Sequence, residues 1–396
     1  MKSNNININS TTKFNGGNMK NLVHIVAILL TLVSGLISQK VETLVAGPST
    51  FNDGLAVDMF GNIYASEYYG SVVTKITPTG ETSIFVNGLN SPNGLVMSYN
   101  GNLYIPNAAG NEVYEVTPQG EKSVYVNISK PGMVLILQDS TMLVGSYTTG
   151  IIHHVDKDTN ITVWHSGAPL NGPIGLLQDN NGTIYVGNFT DGKVFRVTES
   201  KEFVQIGDLP GWLGFMALVG DNIYATCYNR HRIVKIPIDG SGQSYFAGSG
   251  ARGKTDGDLM TAQFTTPNGI VASVTGDTLF ISEYDTRALR MITGMLSITD
   301  VSEEESYQPD SYNLNQNYPN PFNPTTQISF DIPETTNITL KVFDVLGREV
   351  ATLFQGEKTA GIHSVNFSAA GFSSGIYLYQ LKADDFISTK KMILLK

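Results

Sequence analysis

The sequence is poor in cysteine, in basic residues and in long apolar segments, and each shortage excludes something. A single cysteine, Cys227, excludes an intrachain disulfide. The net charge is −10, with 25 basic against 35 acidic side chains, which leaves no basic surface of the kind that binds nucleic acid. Beyond the N-terminal segment, no apolar run is long enough to span a bilayer. We therefore expect neither a disulfide framework nor a nucleic-acid partner.

The N-terminal segment has the layout of an export signal. Lys20 precedes an apolar run over residues 22–37, and Ser38 supplies a small residue at a plausible cleavage point. The run is shorter than the roughly 20 residues of a typical spanning helix. We predict a signal peptide over residues 1–38, with Met19 as an alternative start, and no stable membrane span after cleavage. A membrane anchor is the competing interpretation.

Glycine and tyrosine are abundant, and they occur in a repeat. An apolar strand, a polar turn with Gly and a second strand, ending in Tyr in most copies, recur about every 40 residues, which is the spacing of a four-stranded propeller blade. The copies begin at Asp53-Gly54, Asn93-Gly94, Pro131-Gly132, Ile174-Gly175, Leu213-Gly214 and Asn268-Gly269. These six copies predict an all-β chain with a six-bladed β-propeller over residues 41–297.

The sixth copy lacks its fourth strand segment, because the pattern ends at Gly294. Residues 42–46, which precede the first copy, match the missing segment. A propeller must hide its open sheet edges. We therefore predict that this N-terminal strand pairs into the last blade and closes the ring.

The composition changes after Ile298. Residues 298–316 are acidic and polar and are predicted to form a linker. Residues 317–396 begin with the run N-Y-P-N-P-F-N-P, whose prolines forbid a helix, and continue with alternating strands. This pattern predicts a small Ig-like β-sandwich.

Several motifs of this C-terminal module resemble the type A sorting domain of the type IX secretion system. They are Y-P-N-P-F-N-P-T at 318–325, V-F-D-V-L-G-R at 342–348, S-G-I-Y at 374–377 and K-K-M-I-L-L-K at 390–396. The resemblance implies that residues 317–396 are recognised by the type IX secretion machinery. It also implies that the protein is secreted or held on the outside of the cell.

The propeller segment resembles the NHL-repeat propellers and the related gluconolactonase-like six-bladed family. Its most specific part runs from A-G-S-G at 247–250 through Asp256-Gly257 to P-N-G at 267–269. In gluconolactonase-like enzymes, a divalent ion in the central channel polarises a lactone. The resemblance therefore allows Ca²⁺ or another divalent cation as a cofactor, although the sequence makes none certain.

The Asn/Asp-Gly positions of that family match Asp53, Asn93 and Asn268 in this sequence. The resemblance implies that these three residues are candidate metal ligands, and their oxygen atoms suit Ca²⁺ or Mg²⁺. Asn and Asp before Gly are also common in tight turns for backbone reasons alone. A turn is therefore the alternative interpretation.

A second set of positions near the predicted channel lies at the end of the second strand of each copy. Trp212 is added because it replaces the Pro-Asn of other copies and could stack on a sugar or cover the channel, with burial in the core as the alternative. The predicted ligand-binding residues are Glu67, Asn107, Asn188, Trp212, Tyr228 and Glu283. Tyr147 occupies the same position in the third copy.

One further motif is misleading. Residues 248–255 fit the phosphate-loop pattern G-x-x-x-x-G-K-T, which needs a strand before it and a helix after it. Here Asp256-Gly257-Asp258 follows, inside a β repeat. These carboxylates are poor chemistry for a triphosphate, so nucleotide binding is not expected.

The sequence contains no visible nucleophile–base pair, so no catalytic residue is assigned. The prediction is a secreted or cell-surface propeller that binds a ligand or a protein outside the cell. The alternative is a divalent-metal-dependent lactonase-like hydrolase or lyase with its site in the propeller channel. A purely structural surface component is the third interpretation, because a propeller fold does not by itself decide the function.

Overall fold

The computed structural model describes residues 39–98, 100–295, 311–317 and 320–395, and these are built almost entirely of β-strands. A short 3₁₀ turn, Tyr228–Arg230, interrupts them. The predicted signal peptide and most of the predicted linker lie outside the described residues. Among the residues described, no helix is long and apolar enough to cross a membrane.

The first half of the propeller is a series of antiparallel meanders, one for each blade, preceded by strand β1 (Lys40–Val45). Blade 1 contains β2 (Leu55–Val57), β3 (Ile63–Ser66), β4 (Val73–Ile76) and β5 (Thr82–Val86). Blade 2 contains β6 (Val96–Met97), β7 (Leu103–Asn107), β8 (Glu112–Val116) and β9 (Lys122–Asn127). Blade 3 contains β10 (Pro131–Ile136), β11 (Met142–Ser146), β12 (Ile151–Val155) and β13 (Ile161–Ser166).

The second half repeats this plan up to the last blade. Blade 4 contains β14 (Pro173–Gln178), β15 (Ile184–Asn188), β16 (Lys193–Val197) and β17 (Phe203–Asp208). Blade 5 contains β18 (Leu213–Val219), β19 (Asn222–Cys227), β20 (Arg232–Pro237) and β21 (Ser244–Ala247). The short strand β22 (Gly257–Asp258) follows, and blade 6 then contains β23 (Pro267–Ala272), β24 (Thr278–Glu283) and β25 (Leu289–Thr293). The prediction of six blades in an all-β chain is confirmed.

The predicted closure of the ring is also confirmed. Strand β1 lies antiparallel to β25, with Val41 opposite Ile292 and Thr43 opposite Arg290. The last sheet therefore has the order β22-β1-β25-β24-β23. Val41 has no exposed surface and packs in the core cluster that includes Ile292. The N-terminal strand thus covers the open edge of the last blade, as an edge strand requires.

The first strands of the six blades form the inner ring of the propeller, since each contacts the first strands of both neighbouring blades. At these contacts the backbones are too close for a side chain. A Cβ on Gly54 would lie 2.6 Å from the Cα of Gly94, and a Cβ on Gly269 would lie 2.1 Å from the carbonyl oxygen of Asp53. Gly54, Gly94 and Gly269 are not among the glycines with positive φ. They are needed for close approach rather than for a turn.

A β-bulge accompanies these glycines. In blade 1, the backbone N–H groups of Asn52 and Asp53 both donate to the carbonyl of Ser66, at 3.0 and 3.2 Å. In blades 3 to 6, the register between the first and second strands shifts at the corresponding point. A bulge re-aims the side chains beside it. The side chains of the residues that precede the inner glycines, such as Asp53, Asn93 and Asn268, thereby reach a shared cavity.

The C-terminal module folds as a sandwich of two antiparallel sheets. Its strands are β26 (Asn313–Leu314), β27 (Thr325–Ile332), β28 (Thr336–Asp344), β29 (Glu349–Lys358), β30 (Gly361–Ser368), β31 (Gly375–Ala383) and β32 (Phe386–Leu394). The sheet orders are β26-β27-β30 and β29-β28-β31-β32. The sheets enclose a separate core that includes Phe330, Leu340 and Leu381. The predicted all-β sandwich is therefore confirmed.

The closure strand yields a stability prediction. Val41→Ala removes buried methyl groups at the seam of the ring and should destabilise the propeller by about 2 kcal/mol. Glu42→Ala, on the exposed face of the same strand, should change the stability by less than about 0.5 kcal/mol. Both tryptophans, Trp164 and Trp212, lie in the propeller, so urea unfolding followed by tryptophan emission reports on this domain. Equal effects of the two substitutions would show that the buried side of the seam does not stabilise the ring.

Candidate functional site

A cavity of about 290 Å³ lies between the bulged ends of the first strands and the loops that follow the second strands. We call it the aromatic cavity, because eight of its thirteen lining residues are aromatic. It is lined by Asp53, Tyr68, Tyr69, Asn93, Tyr147, Ile174, Phe189, Trp212, Gly214, Phe215, Tyr228, Asn268 and Tyr284. The cavity has a polar floor and an aromatic wall.

The wall arises from one position of the repeat, the residue just after the end of the second strand. This position carries an aromatic side chain in five of the six blades: Tyr68, Tyr147, Phe189, Tyr228 and Tyr284. Blade 2 carries Ala108 there instead. Because the blades are arranged around an axis, equivalent loop positions of neighbouring blades lie side by side and their rings can meet.

The rings form a continuous arc across blades 3 to 6. Tyr147 packs edge-on against Phe189 at 5.3 Å between ring centroids, and Phe189 stacks on Trp212 at 5.6 Å. Trp212 lies 6.3 Å from Tyr228, which packs edge-on against Tyr284 at 5.6 Å. These are preferred aromatic geometries. They hold the wall in one arrangement before any ligand arrives.

Asp53 occupies the floor of the cavity and is 4% exposed. Its Oδ1 accepts a hydrogen bond of 2.7 Å from Asn268 Nδ2, while its Oδ2 is buried and has no hydrogen-bond partner among the described residues. The second hydrogen of the Asn268 amide goes to the Asn52 carbonyl at 3.2 Å. The Asn268 side chain is therefore oriented with its nitrogen toward Asp53.

Burial raises the pKa of Asp53 from its ordinary value to about 7, and the hydrogen bond from Asn268 only partly opposes this. Desolvation also raises the pKa of Tyr68 to about 12, with the charge of Asp53 adding to the effect. Desolvation also raises the pKa values of Tyr228 and Tyr284, and nearby groups that include Asp285 and Asp53 add to the effect. The pKa of Asp53 thus lies near neutral pH, whereas those of these three tyrosines are raised further above it.

The three predicted metal ligands, Asp53, Asn93 and Asn268, all line the aromatic cavity. They supply one carboxylate and two amides. Ca²⁺ usually takes six to eight oxygen ligands, commonly from several carboxylates. Within the described part of the chain, no group of three His, Cys, Asp or Glu side chains could hold a metal ion. The donor set is therefore a poor fit for a tightly held divalent cation, although the unpartnered Asp53 Oδ2 could contact one.

Two of the six predicted ligand-binding residues, Trp212 and Tyr228, lie in the wall of the cavity. Trp212 is 45% exposed, and its backbone N–H donates to Asn229 Oδ1 at 2.9 Å. This bond fixes the loop that presents the indole. The prediction that a ligand contacts these two residues therefore has a geometric basis.

The other four predicted residues do not line this cavity but hold neighbouring loops. Asn107 accepts from the Asn90 N–H at 2.6 Å. Asn188 donates to the Pro169 carbonyl at 2.8 Å. Glu67 accepts from Arg287 at 2.8 Å. In each case the side chain ties the end of a second strand to another loop, so a ligand-binding role for these residues stays a prediction.

Glu283, the fourth, belongs to a buried network that anchors the loop before blade 6. Its carboxylate accepts from the Thr265 N–H at 2.9 Å and from Arg290 at 3.1 Å. Arg290 is 1% exposed and also binds the Gln263 carbonyl and Asp256. The phosphate-loop-like segment is thus fastened to the closure blade and is followed by β22, not by a helix.

The sequence prediction included Trp212 and Tyr228 but missed the other rings of the aromatic wall. The predicted set combined two neighbouring positions of the repeat: Asn107, Asn188 and Glu283 end the second strand and Glu67 is their equivalent in blade 1, whereas Tyr228 comes one position later. Adjacent residues there point in different directions. A prediction that is shifted by one residue therefore selects side chains that bind neighbouring loops instead of side chains that line the cavity. The signal was an aromatic residue after the strand end in five copies.

The buried carboxyl of Asp53 gives a prediction for stability against pH. Its pKa in the folded state, about 7, lies above the ordinary value of 3.8, so its ionisation destabilises the fold as the pH rises between these values. Asp53→Asn removes this penalty. The stability of the variant relative to wild type should increase from pH 4 to pH 8, by at most about 4 kcal/mol.

Thermal unfolding at both pH values checks this, with Glu121→Gln as a control that removes an exposed carboxylate elsewhere. If the difference between Asp53→Asn and wild type is the same at pH 4 and pH 8, Asp53 is not desolvated in the folded protein.

Comparison with known proteins agrees with this architecture. Residues 316–395 match the family model of the secretion system C-terminal sorting domain. No curated protein matches the chain. Two auxiliary nutrient binding proteins of known structure resemble the propeller. The one from Bacteroides thetaiotaomicron is 15% identical, with a TM-score of 0.57 over 65% of this chain and 77% of that chain. The one from Bacteroides ovatus is 14% identical, with a TM-score of 0.56 over 65% and 76%.

A gluconolactonase from Xanthomonas campestris is 13% identical, with a TM-score of 0.54 over 66% of this chain and 92% of that chain. Identities this low establish the fold alone. The chain therefore combines a six-bladed propeller, whose fold is similar to that of this gluconolactonase, with a C-terminal type IX secretion sorting domain, which indicates secretion or attachment to the cell surface.

Proposed function

We propose that this protein is an exported propeller that binds a small molecule outside the cell, in the aromatic cavity. The observation that carries the proposal is the arc of stacked rings over the buried Asp53 and Asn268. Ligand sites in proteins are mostly apolar and aromatic, with a few fixed polar groups that orient the ligand. The aromatic cavity has this composition.

The size of the cavity favours a small ligand over a protein segment. Its volume of about 290 Å³ is at the lower end of the range for small-molecule sites, roughly 300 to 1,000 Å³. The exposed edge of Trp212 could also contact a larger partner, but the concave shape gives most contact to a molecule that enters it.

The lining residues favour binding over catalysis. Among the described residues that line the cavity there is no His, Cys, Ser, Thr or Lys, so none of the usual nucleophiles other than carboxylate and phenol is present. Asp53 is the single carboxyl among the described residues that line the cavity, and no imidazole or amine lies beside it there to form an acid–base pair. The same fold is used by the auxiliary nutrient binding proteins, which is consistent with a binding role.

The proposal is tested with a tryptophan reporter. Trp164→Phe leaves Trp212 as the sole tryptophan. We expect methyl β-D-glucoside or benzyl alcohol, two neutral probes with a stackable face, to change its emission saturably. Phe189→Ala removes the ring that stacks on Trp212 and should weaken binding by about tenfold, corresponding to about 1.4 kcal/mol.

Tyr245→Ala, which removes an exposed ring outside the cavity, is the matched control and should bind as the parent does. An emission that neither probe changes, or binding that Phe189→Ala and Tyr245→Ala weaken equally, would contradict a ligand site in this cavity.

The second candidate function is a metal-dependent lactonase-like hydrolase or lyase. One observation favours it: the unpartnered Oδ2 of Asp53 lies beside two amides, Asn93 and Asn268, at the matching positions. Turnover of a sugar lactone that is abolished by EDTA, restored by Ca²⁺ and lost in Asp53→Ala and Asn93→Ala would establish it. Turnover that EDTA leaves unchanged would remove this candidate.

The sorting domain gives a prediction for export. Deletion of residues 317–396 should leave the propeller inside the outer membrane, because the segment addressed by the type IX machinery is gone. Fractionation of cells that express the full-length and the truncated chain measures this. An unchanged amount of truncated protein outside the cell would show that another segment directs the last step.

A further inference from the structure

The carboxylate of Asp53 has no counterion within the chain. Its Oδ2 is buried without a hydrogen-bond partner among the described residues, and its Oδ1 receives only the neutral amide of Asn268. The lining of the aromatic cavity, as described, contains no Lys, Arg or His. A buried charge without a partner is costly, so the ionised side chain favours a positive group supplied from outside.

The neighbouring arginines do not supply this charge. Arg287 pairs with Glu67 at 2.8 Å, and Arg252 pairs with Asp285 at 2.9 Å. The Nε of Arg230 donates to the Pro210 carbonyl at 3.0 Å, and this side chain is exposed to solvent. Two of these cations are already neutralised and the third is hydrated, so a cationic ligand meets little repulsion at the entrance.

The wall selects the kind of cation. Aromatic faces attract ammonium groups through their quadrupoles, and cages of Tyr, Trp and Phe bind quaternary ammonium ions in this way. The arc from Tyr147 through Phe189 and Trp212 to Tyr284 lines the same cavity as the polar floor, so its rings are within reach of a ligand bound there. A hard metal ion prefers several carboxylate and carbonyl oxygens, whereas the side chains of the wall offer only phenol hydroxyls and apolar rings.

We propose that the aromatic cavity binds a small organic cation with an alkylated ammonium group, held by the carboxylate of Asp53 and the aromatic arc. This inference rests on the proposed function, since it names the chemical class of the ligand for the same site. The polar floor, formed by Asn268, Asp53 and Asn93, would contact the ammonium group of the ligand. The aromatic wall would cover the alkyl groups of the ligand.

The test compares two probes of the same shape and different charge. Choline and 3,3-dimethylbutan-1-ol differ by a quaternary nitrogen in place of a carbon. We expect choline to bind at least about tenfold more tightly, measured by calorimetry and by Trp212 emission in the Trp164→Phe background. Asp53→Asn, which keeps an acceptor for Asn268, should reduce choline affinity to about that of the alcohol.

Glu121→Gln removes an exposed carboxylate outside the cavity and should leave both affinities unchanged, which controls for the general effect of net charge. Circular dichroism of Asp53→Asn establishes that the variant is folded. A wild-type protein that binds choline no better than the alcohol, or not at all, overturns the inference, as does choline binding that survives Asp53→Asn. The neutral probes described above test the proposed function separately. If the cavity binds these probes but not choline, the proposal of a cationic ligand is refuted while the proposed binding function stands.

Discussion

The inner strands of neighbouring blades approach so closely that no Cβ fits between them, and the rest of the propeller depends on this contact. The N–H of Gly94 in blade 2 donates to the carbonyl of Gly132 in the neighbouring blade 3, at 2.8 Å. At the seam between blades 6 and 1, the Ser282 hydroxyl donates to the carbonyl of Asp53 at 2.6 Å, and Gly269 lies against the same carbonyl. The ring therefore closes through backbone contacts at its centre as well as through β1 at its edge. A larger residue at these glycines would force the blades apart.

The chemistry of the cavity follows from the same packing. The bulge places the N–H of Asp53 on the Ser66 carbonyl, and the contact with blade 6 occupies its own carbonyl, so the backbone of this residue is fixed on both sides. The side chain lies in the floor of the cavity, where it is almost fully buried. Desolvation raises its pKa to about 7 as a result. The backbone contacts of Asp53 thus hold, in the floor of the cavity, a carboxyl group whose pKa is raised toward neutral pH.

The sequence predicted the features that repeat along the chain. It missed those that depend on which strands come close together and on which way a side chain points. Strand periodicity, turn glycines and the displaced strand at residues 42–46 predicted six blades and their closure, because these features are local and occur in several copies. The glycines after Asp53 and Asn93 suggested turns, since close approach between distant strands leaves no local mark in a sequence. Asp53, Asn93 and Asn268 were placed near the channel, and they do line one cavity. Apart from Trp212 and Tyr228, the aromatic wall was missed, because one residue of register separates it from the side chains that hold the neighbouring loops.

The six blades carry different residues at the positions that line the cavity, so the two sides of the cavity differ in chemistry. Blades 6, 1 and 2 contribute the polar residues that precede their inner glycines, Asn268, Asp53 and Asn93. Blades 4 and 5 contribute apolar side chains, Ile174 before Gly175 and Phe215 after Gly214. The aromatic wall continues through blades 3 to 6 into blade 1 and is interrupted in blade 2, where Ala108 takes its place. One side of the site is therefore polar and charged, and the opposite side is apolar. A symmetric ligand would leave one of these surfaces unmatched, so the arrangement favours a molecule with a polar or charged end and an apolar body, bound in a single orientation.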